Sequence, residues 1–221
     1  MVAAFIRVAL AILLIPVDIA YACVFYEQLS TIRQVRPPEL AFLLGVTAYL
    51  AFHVLVIAPT RLYVFGHELM HAIATWMTGG QVKGFHVGSK SGSVKATGIN
   101  TFSALAPYFV PVYAVLWALL YGIFSLFRKT APWSQWFFFG LGVTLTFHLV
   151  FTVDVLKRKQ PDLETVGPIL ALGLILWVNM ALVIAAISLV IPEVHFWRYL
   201  VSGFHGTQEI YQGLLAQLFV R

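Results

Sequence analysis

"YVFGHELMHAIATWMTGG", residues 63–80, sets His67, Glu68 and His71 inside an otherwise apolar run. On a helix, His67 and His71 are four residues apart and project from one face, the spacing at which two imidazoles reach a single zinc ion. Glu68 follows the first imidazole directly, where a carboxylate can take a proton from a metal-activated water and pass it to a leaving amine. The pattern HExxH is a metalloprotease signature. Two helix-facing histidines bonded to neighbouring groups are the structural alternative, and in a soluble protein it would weigh heavily. In lipid, three adjacent ionisable groups are costly, and such groups mark functional sites.

The rest of the chain makes lipid the expected solvent. Of its 221 residues, 60% are hydrophobic and only 10% charged, and the mean hydropathy is +0.87. A helix crossing the ~30 Å hydrocarbon core needs ~20 mostly apolar residues, and several runs reach that length. This composition predicts an integral, multi-pass, all-α membrane protein with no separate soluble domain. The expected layout is one domain over 1–221 with its core at 40–191. A net charge of +5 reads as loop Lys and Arg meeting anionic lipid headgroups, which makes membrane lipid a partner and excludes nucleic acid. Cys23 is the only cysteine, so no disulfide forms within the chain.

About six membrane helices are expected. Residues 4–26 form a retained first span, with a cleaved signal as the alternative, bent or interrupted at Pro16. A second span runs over about 40–58 and stops at Pro59. Pro59-Thr60 then opens the HELMH helix at 60–78, since proline suits a first turn. Gly79-Gly80 ends it in a left-handed cap, and Gly66 leaves room for a neighbouring helix. Residues 81–100, "QVKGFHVGSKSGSVKATGIN", are rich in Gly, Ser and Lys and partly alternate, which predicts a small β-hairpin at the membrane surface. Further spans are expected at 101–127, 134–156 and 165–191. The tail, 193–221, has the pattern of an amphipathic helix lying on the membrane, broken near Gly203–Gly206. If every segment crosses, Arg33, Arg36, Lys83, Lys90, Lys95 and Lys157–Lys159 share one face. Arg7, Arg61, Arg128, Lys129, Arg198 and Arg221 share the other, so the positive-inside rule leans the hairpin to the cytoplasm.

A HExxH helix in a membrane, followed by Gly-Gly and a small β element, resembles the site-2 protease family of intramembrane zinc metalloproteases. The resemblance spans roughly 45–175 and is closest to the compact branch without PDZ or CBS domains. It implies a third zinc ligand, an aspartate about ninety residues on, where a broken helix re-enters the membrane in a pattern like N-x-x-P-x-x-P-x-D-G. Here "TVDVLKRKQPDLETVGPIL" places Asp162 ninety-one residues after His71 and behind Pro161, with Asp154 where the family has asparagine. Leu163 replaces the family's glycine, the KRK cluster replaces an apolar loop, and "SALAPYF" at 103–109 matches the family's Ala-Gly-Pro segment only loosely.

The residues themselves leave three candidates for that ligand. Asp162 also suits a plain helix N-cap. Asp154 also suits a surface ion pair with Lys157 and Arg158. His148, deeper in its span, suits a hydrogen-bonded core histidine or a group behind the ligands. His53 is expected to be a buried hydrogen-bonding histidine, and His86, His195 and His205 to be solvated or interfacial. The function so implied is a zinc-dependent endopeptidase cutting in or near transmembrane segments of membrane-anchored proteins, with Glu68 catalytic. The hairpin would pair with an extended substrate strand, Val82 and Val94 being the positions singled out. The alternatives are an inactive relative that binds transmembrane segments, opposed by the intact Glu68, and a metal or proton transporter, opposed by the lack of an internal repeat. The expected location is a bacterial or archaeal cytoplasmic membrane.

Overall fold

The computed structural model describes residues 2–56, 58–89, 91–128 and 134–219. Lys90, Lys129 and Arg221, which enter the charge comparison above, lie outside the described residues. In chain order the elements are α1 (Val2–Ser30), α2 (Pro37–Leu55), α3 (Thr60–Met77), β1 (Gln81–Val87) and β2 (Gly92–Thr97). They continue with α4 (Thr101–Phe109), α5 (Val112–Arg128), α6 (Gln135–Leu156), α7 (Pro161–Val166), α8 (Pro168–Val190) and α9 (Phe196–Phe219). The protein is all-α in class, with one two-stranded hairpin. Among the described residues four helices, α1, α2, α6 and α8, are long and apolar enough to cross a membrane, and the bent pair α4–α5 brings the number to five if it is one span. That is compatible with a multi-pass membrane protein.

Against about six expected membrane helices, four or five of the described ones qualify as crossings, and the division of charges between two faces loses its basis. The HELMH helix α3 does not qualify as a span among the described residues. The expected span 101–127 is two helices meeting at 64°. Pro111 drives Val110 into an extended conformation (φ −105°, ψ 111°), as a residue before proline prefers. The expected span 165–191 begins later, at Pro168, because Gly167 at φ +105° separates the short α7 from α8.

The chain divides into two compact units. One comprises Met1–Val35 and Val166–Arg221. In it α1 runs uninterrupted through Pro16, and its Tyr21 and Val24 pack with Ile184, Val194 and Tyr199. The tail helix α9 is also continuous, so the expected break at Gly203–Gly206 does not occur. Gly203 serves packing instead: a Cβ there would lie 2.5 Å from Tyr21 Cδ1, and the Tyr21 hydroxyl donates to the Leu200 carbonyl at 3.1 Å.

The second unit, Arg36–Thr165, holds HELMH. Helices α2 and α6 meet backbone to backbone. A Cβ on Gly45 would lie 3.1 Å from the Val143 nitrogen, and one on Gly142 3.0 Å from the Val46 nitrogen, so only small residues permit the approach. Gly66 plays the expected part, seating the Tyr113 ring at 2.8 Å from where its Cβ would be. Helix α3 ends in a Schellman arrangement, Gly80 N–H to Thr75 carbonyl (2.8 Å) and Gly79 N–H to Trp76 carbonyl (3.1 Å), with Gly79 at φ +80°. The chain then turns straight into the expected hairpin. β1 and β2 pair antiparallel from Gln81↔Thr97 to Val87↔Gly92, with an irregularity between Val82 and Gly84. The hairpin folds back along α3, Phe85 against Phe65, which brings Gly92 to Glu68.

Candidate metal centre

Helix α3 presents both imidazoles of HELMH on one face, their ring centroids 4.9 Å apart. The Nδ1 atom of each is held by a different group. His71 Nδ1 lies 2.9 Å from the Ser103 carbonyl, which only accepts, so Nδ1 carries the proton and Nε2 the lone pair. Ser103 is itself fixed at the start of α4 by reciprocal bonds with Asn100, backbone N–H to side-chain oxygen in both directions at 2.9 Å. His67 Nδ1 lies 3.0 Å from the hydroxyl of Tyr63, one turn earlier on α3. Tyr63 is buried, its ring stacked on Phe151 at 4.7 Å and 8°.

The two Nε2 atoms face one carboxylate oxygen. Asp162 Oδ2 is 3.4 Å from His71 Nε2 and 3.7 Å from His67 Nε2. Tyr108 donates to the same oxygen at 3.1 Å. Asp162 therefore does not cap its own helix: it is the second residue of α7, and its carboxylate turns to α3. Burial alone would raise the Asp162 carboxyl, but the imidazoles of His67 and His71 outweigh it and hold the group well below the usual carboxylate range.

These spacings are those of ligands around a metal. Bonds of 2.0–2.2 Å meeting at the tetrahedral angle put ligand atoms about 3.3–3.5 Å apart. A separation of 3.7 Å is too long for a hydrogen bond, yet close to that edge. His67, His71 and Asp162 form the one group among the described residues with three such atoms within 4.8 Å of one another, and it could hold a metal ion. Two imidazoles and a carboxylate, with the far nitrogen of each ring occupied, suit a borderline divalent cation with a fourth position open.

Glu68 is buried and lines a cavity of about 350 Å³ together with His67, His71 and Asp162. Gly92, Val94 and Ala96 of β2 line it, as do Gln160 and Pro161 beside Asp162. Strand β2 comes so near that a Cβ on Gly92 would lie 2.5 Å from Glu68 Cγ and 2.8 Å from Oε1. Of the two hairpin positions singled out, Val94 lines the cavity, whereas Val82 pairs with Ala96 at the hairpin base and is not among the lining residues.

The other candidates lie elsewhere. Asp154, near the end of α6, bonds Lys157 Nζ at 2.8 Å and approaches His53 Nε2 at 3.4 Å, the ion pair its spacing suggests. His148 is buried and lines a small separate void with Tyr63, Gly66 and His67. His53 is hydrogen-bonded to Tyr49 at 3.2 Å, and His86, His195 and His205 are exposed. Sequence reasoning passed over Tyr63, Gly92, Ser103 and Tyr108. The i−4 spacing of Tyr63 from His67 was a usable signal, whereas Ser103 and Tyr108 come from another helix that no local pattern ties to α3. Against models of protein families, curated proteins and solved structures, the chain finds no match.

Proposed function

We propose that this chain is a zinc-dependent endopeptidase of the membrane, resembling the site-2 proteases, that hydrolyses peptide bonds in or near transmembrane segments of other proteins. The observation that carries this is Asp162 Oδ2 at 3.4 and 3.7 Å from two imidazole nitrogens, with Glu68 beside them in one cavity. His67, His71 and Asp162 would hold the ion. Zinc, when bound there, supplies an acidified water and polarises the scissile carbonyl. Glu68 takes the proton at its carboxylate and returns it to the leaving amine nitrogen. Burial of Glu68 excludes bulk water from that exchange, and Gly92 gives its side chain the space it occupies.

The substrate enters extended, because a peptide bond within an intact helix is shielded by its own hydrogen bonds. Strand β2, which lines the cavity through Gly92, Val94 and Ala96, offers the neighbouring surface for such a segment. The long apolar helices α1, α2, α6 and α8 embed the chain in a lipid bilayer, with α9 along its surface through Trp197, Phe204 and Leu218, all exposed. The test is Glu68→Gln in the full-length chain reconstituted in liposomes with a synthetic transmembrane substrate. The amide keeps the shape and cannot carry the proton, so zinc is retained and cleavage falls to background. Undiminished cleavage by that variant overturns the assignment. A wild-type chain that holds zinc and captures the segment without cutting it makes the protein a binder instead.

A further inference from the structure

We propose that Tyr63 and Tyr108 are positioning residues which preset the metal centre, Tyr63 by fixing the ring and tautomer of His67 and Tyr108 by fixing the carboxylate of Asp162. This rests on the assignment of His67, His71 and Asp162 as metal ligands.

A histidine binds a metal through a nitrogen without a proton, so its other nitrogen must carry one and needs an acceptor. His71 has a backbone carbonyl for this purpose, and His67 has only the Tyr63 hydroxyl at 3.0 Å. A phenol can donate or accept, and with a metal on Nε2 that nitrogen must be bare, so Tyr63 must then accept from Nδ1. With Tyr63 accepting, Nε2 keeps its lone pair and faces the position that the other two ligands share.

The hydroxyl is held in place by packing, not by the bond it makes. Tyr63 is buried, its ring lies flat on Phe151, and Phe147 flanks it at 6.4 Å. Tyr108 is fully buried on α4 and meets the His67 ring edge to face at 5.2 Å and 90°. Its hydroxyl occupies one lone pair of Asp162 Oδ2 and leaves the other toward the imidazoles. Each imidazole thus has its far nitrogen held, and Asp162 its ligand oxygen held, by a group fixed in the packing, as preorganised sites require.

The fold supplies an internal control. Tyr49 and His53 on α2 repeat the same i,i+4 arrangement, hydroxyl to Nδ1 at 3.2 Å, and Tyr49 packs against the same Phe147. That pair does not belong to the three-ligand group. Tyr49→Phe therefore removes an equivalent buried hydroxyl in the same unit without touching a ligand.

The experiment uses the purified full-length chain in detergent, with zinc affinity read by competition against a chromophoric chelator. The visible spectrum of the cobalt-loaded protein and the melting temperature of the metal-free protein are recorded in parallel. Tyr63→Phe and Tyr108→Phe are each expected to weaken zinc binding ~10–100-fold and to alter the cobalt spectrum, the rings themselves staying in place. Tyr49→Phe leaves both readings at wild-type values. Wild-type zinc affinity in Tyr63→Phe and Tyr108→Phe, or an equal loss in Tyr49→Phe, overturns the proposal alone. A wild-type chain that takes up neither zinc nor cobalt overturns the metal assignment with it.

Discussion

On the proposed reading, Gly92 is where a single methyl group should abolish cleavage and spare metal binding. The residue opens β2, and its backbone is not in the left-handed region, so alanine brings no conformational strain of its own. The methyl would lie 2.5 Å from Glu68 Cγ, 2.8 Å from Oε1 and 2.9 Å from Cδ. Carbon atoms rest at about 3.5–4.0 Å, so the Glu68 side chain must withdraw by about 1 Å. A 1 Å misplacement of a reacting group costs about 100-fold in rate, or about 2.7 kcal/mol of barrier. The three nearest atoms all belong to Glu68 and none to a ligand, so zinc binding should be untouched. Gly122→Ala on α5, where a Cβ meets nothing within 4 Å, is the matched control. The assay is steady-state cleavage of a synthetic transmembrane substrate, with zinc measured on the same samples. Gly92→Ala should lower kcat about 100-fold at full zinc occupancy, and it should add nothing in a Glu68→Gln background, because both changes act through one side chain. A kcat within threefold of wild type, or zinc lost along with activity, would refute the reasoning.

Three further predictions concern the same unit. Asp162→Ala should copurify with little zinc and be inactive, whereas Asp154→Ala should keep its zinc and lose only a partly exposed ion pair worth ~0–1 kcal/mol; the opposite ranking of zinc contents would place the ligand at Asp154. Ala96→Phe, which fills the 350 Å³ cavity from the β2 side, should cut kcat/KM at least tenfold with zinc retained; an unchanged kcat/KM would mean that substrate does not pass this wall. Zinc affinity should fall with acidification by up to ~10-fold per pH unit, because His71 must shed a proton to bind. Burial lowers the pKa of His71 but the facing Asp162 carboxylate raises it by more, while burial lowers that of His67 and Asp162 stays ionised. A slope near zero in a chelator titration between pH 5 and 6 would show that His71 is not a ligand.

What the sequence made legible was local. Pro59 and Gly79-Gly80 bracket α3 because proline and glycine impose backbone conformations by themselves, so the helix carrying HELMH and its left-handed cap could be placed without knowing the fold. The hairpin followed from alternation and glycine. Long-range consequences were not legible. The 64° break between α4 and α5 lies inside a continuous apolar run, where hydropathy outweighed the cue of Pro107 and Pro111. Gly203 looked like a helix breaker, since nothing near it in sequence reveals that the Tyr21 ring needs its missing side chain. Gly92 was passed over for the same reason, although its neighbour in space is Glu68, twenty-four positions earlier.

Why one histidine–aspartate pair could hold a metal and the other could not is a matter of what surrounds each carboxylate. Asp154 and Asp162 both approach the Nε2 of a histidine whose Nδ1 meets a tyrosine one turn earlier, at 3.4 and 3.7 Å respectively. By the first imidazole alone, Asp154 is the closer match. It carries the Lys157 ammonium at 2.8 Å, however, and its side chain is 36% exposed, so a dication would have to displace a bound cation from a partly solvated group. Among the described residues Asp162 meets no lysine or arginine; it is 24% exposed and finds a second imidazole, His71, at 3.4 Å. The second imidazole would supply a third ligand, and the absence of an ammonium there would leave the carboxylate's charge for a metal. Lys157 of the KRK cluster thus holds Asp154 in an ion pair at the end of α6, beside His53, while Asp162 is the acid that faces both His67 and His71.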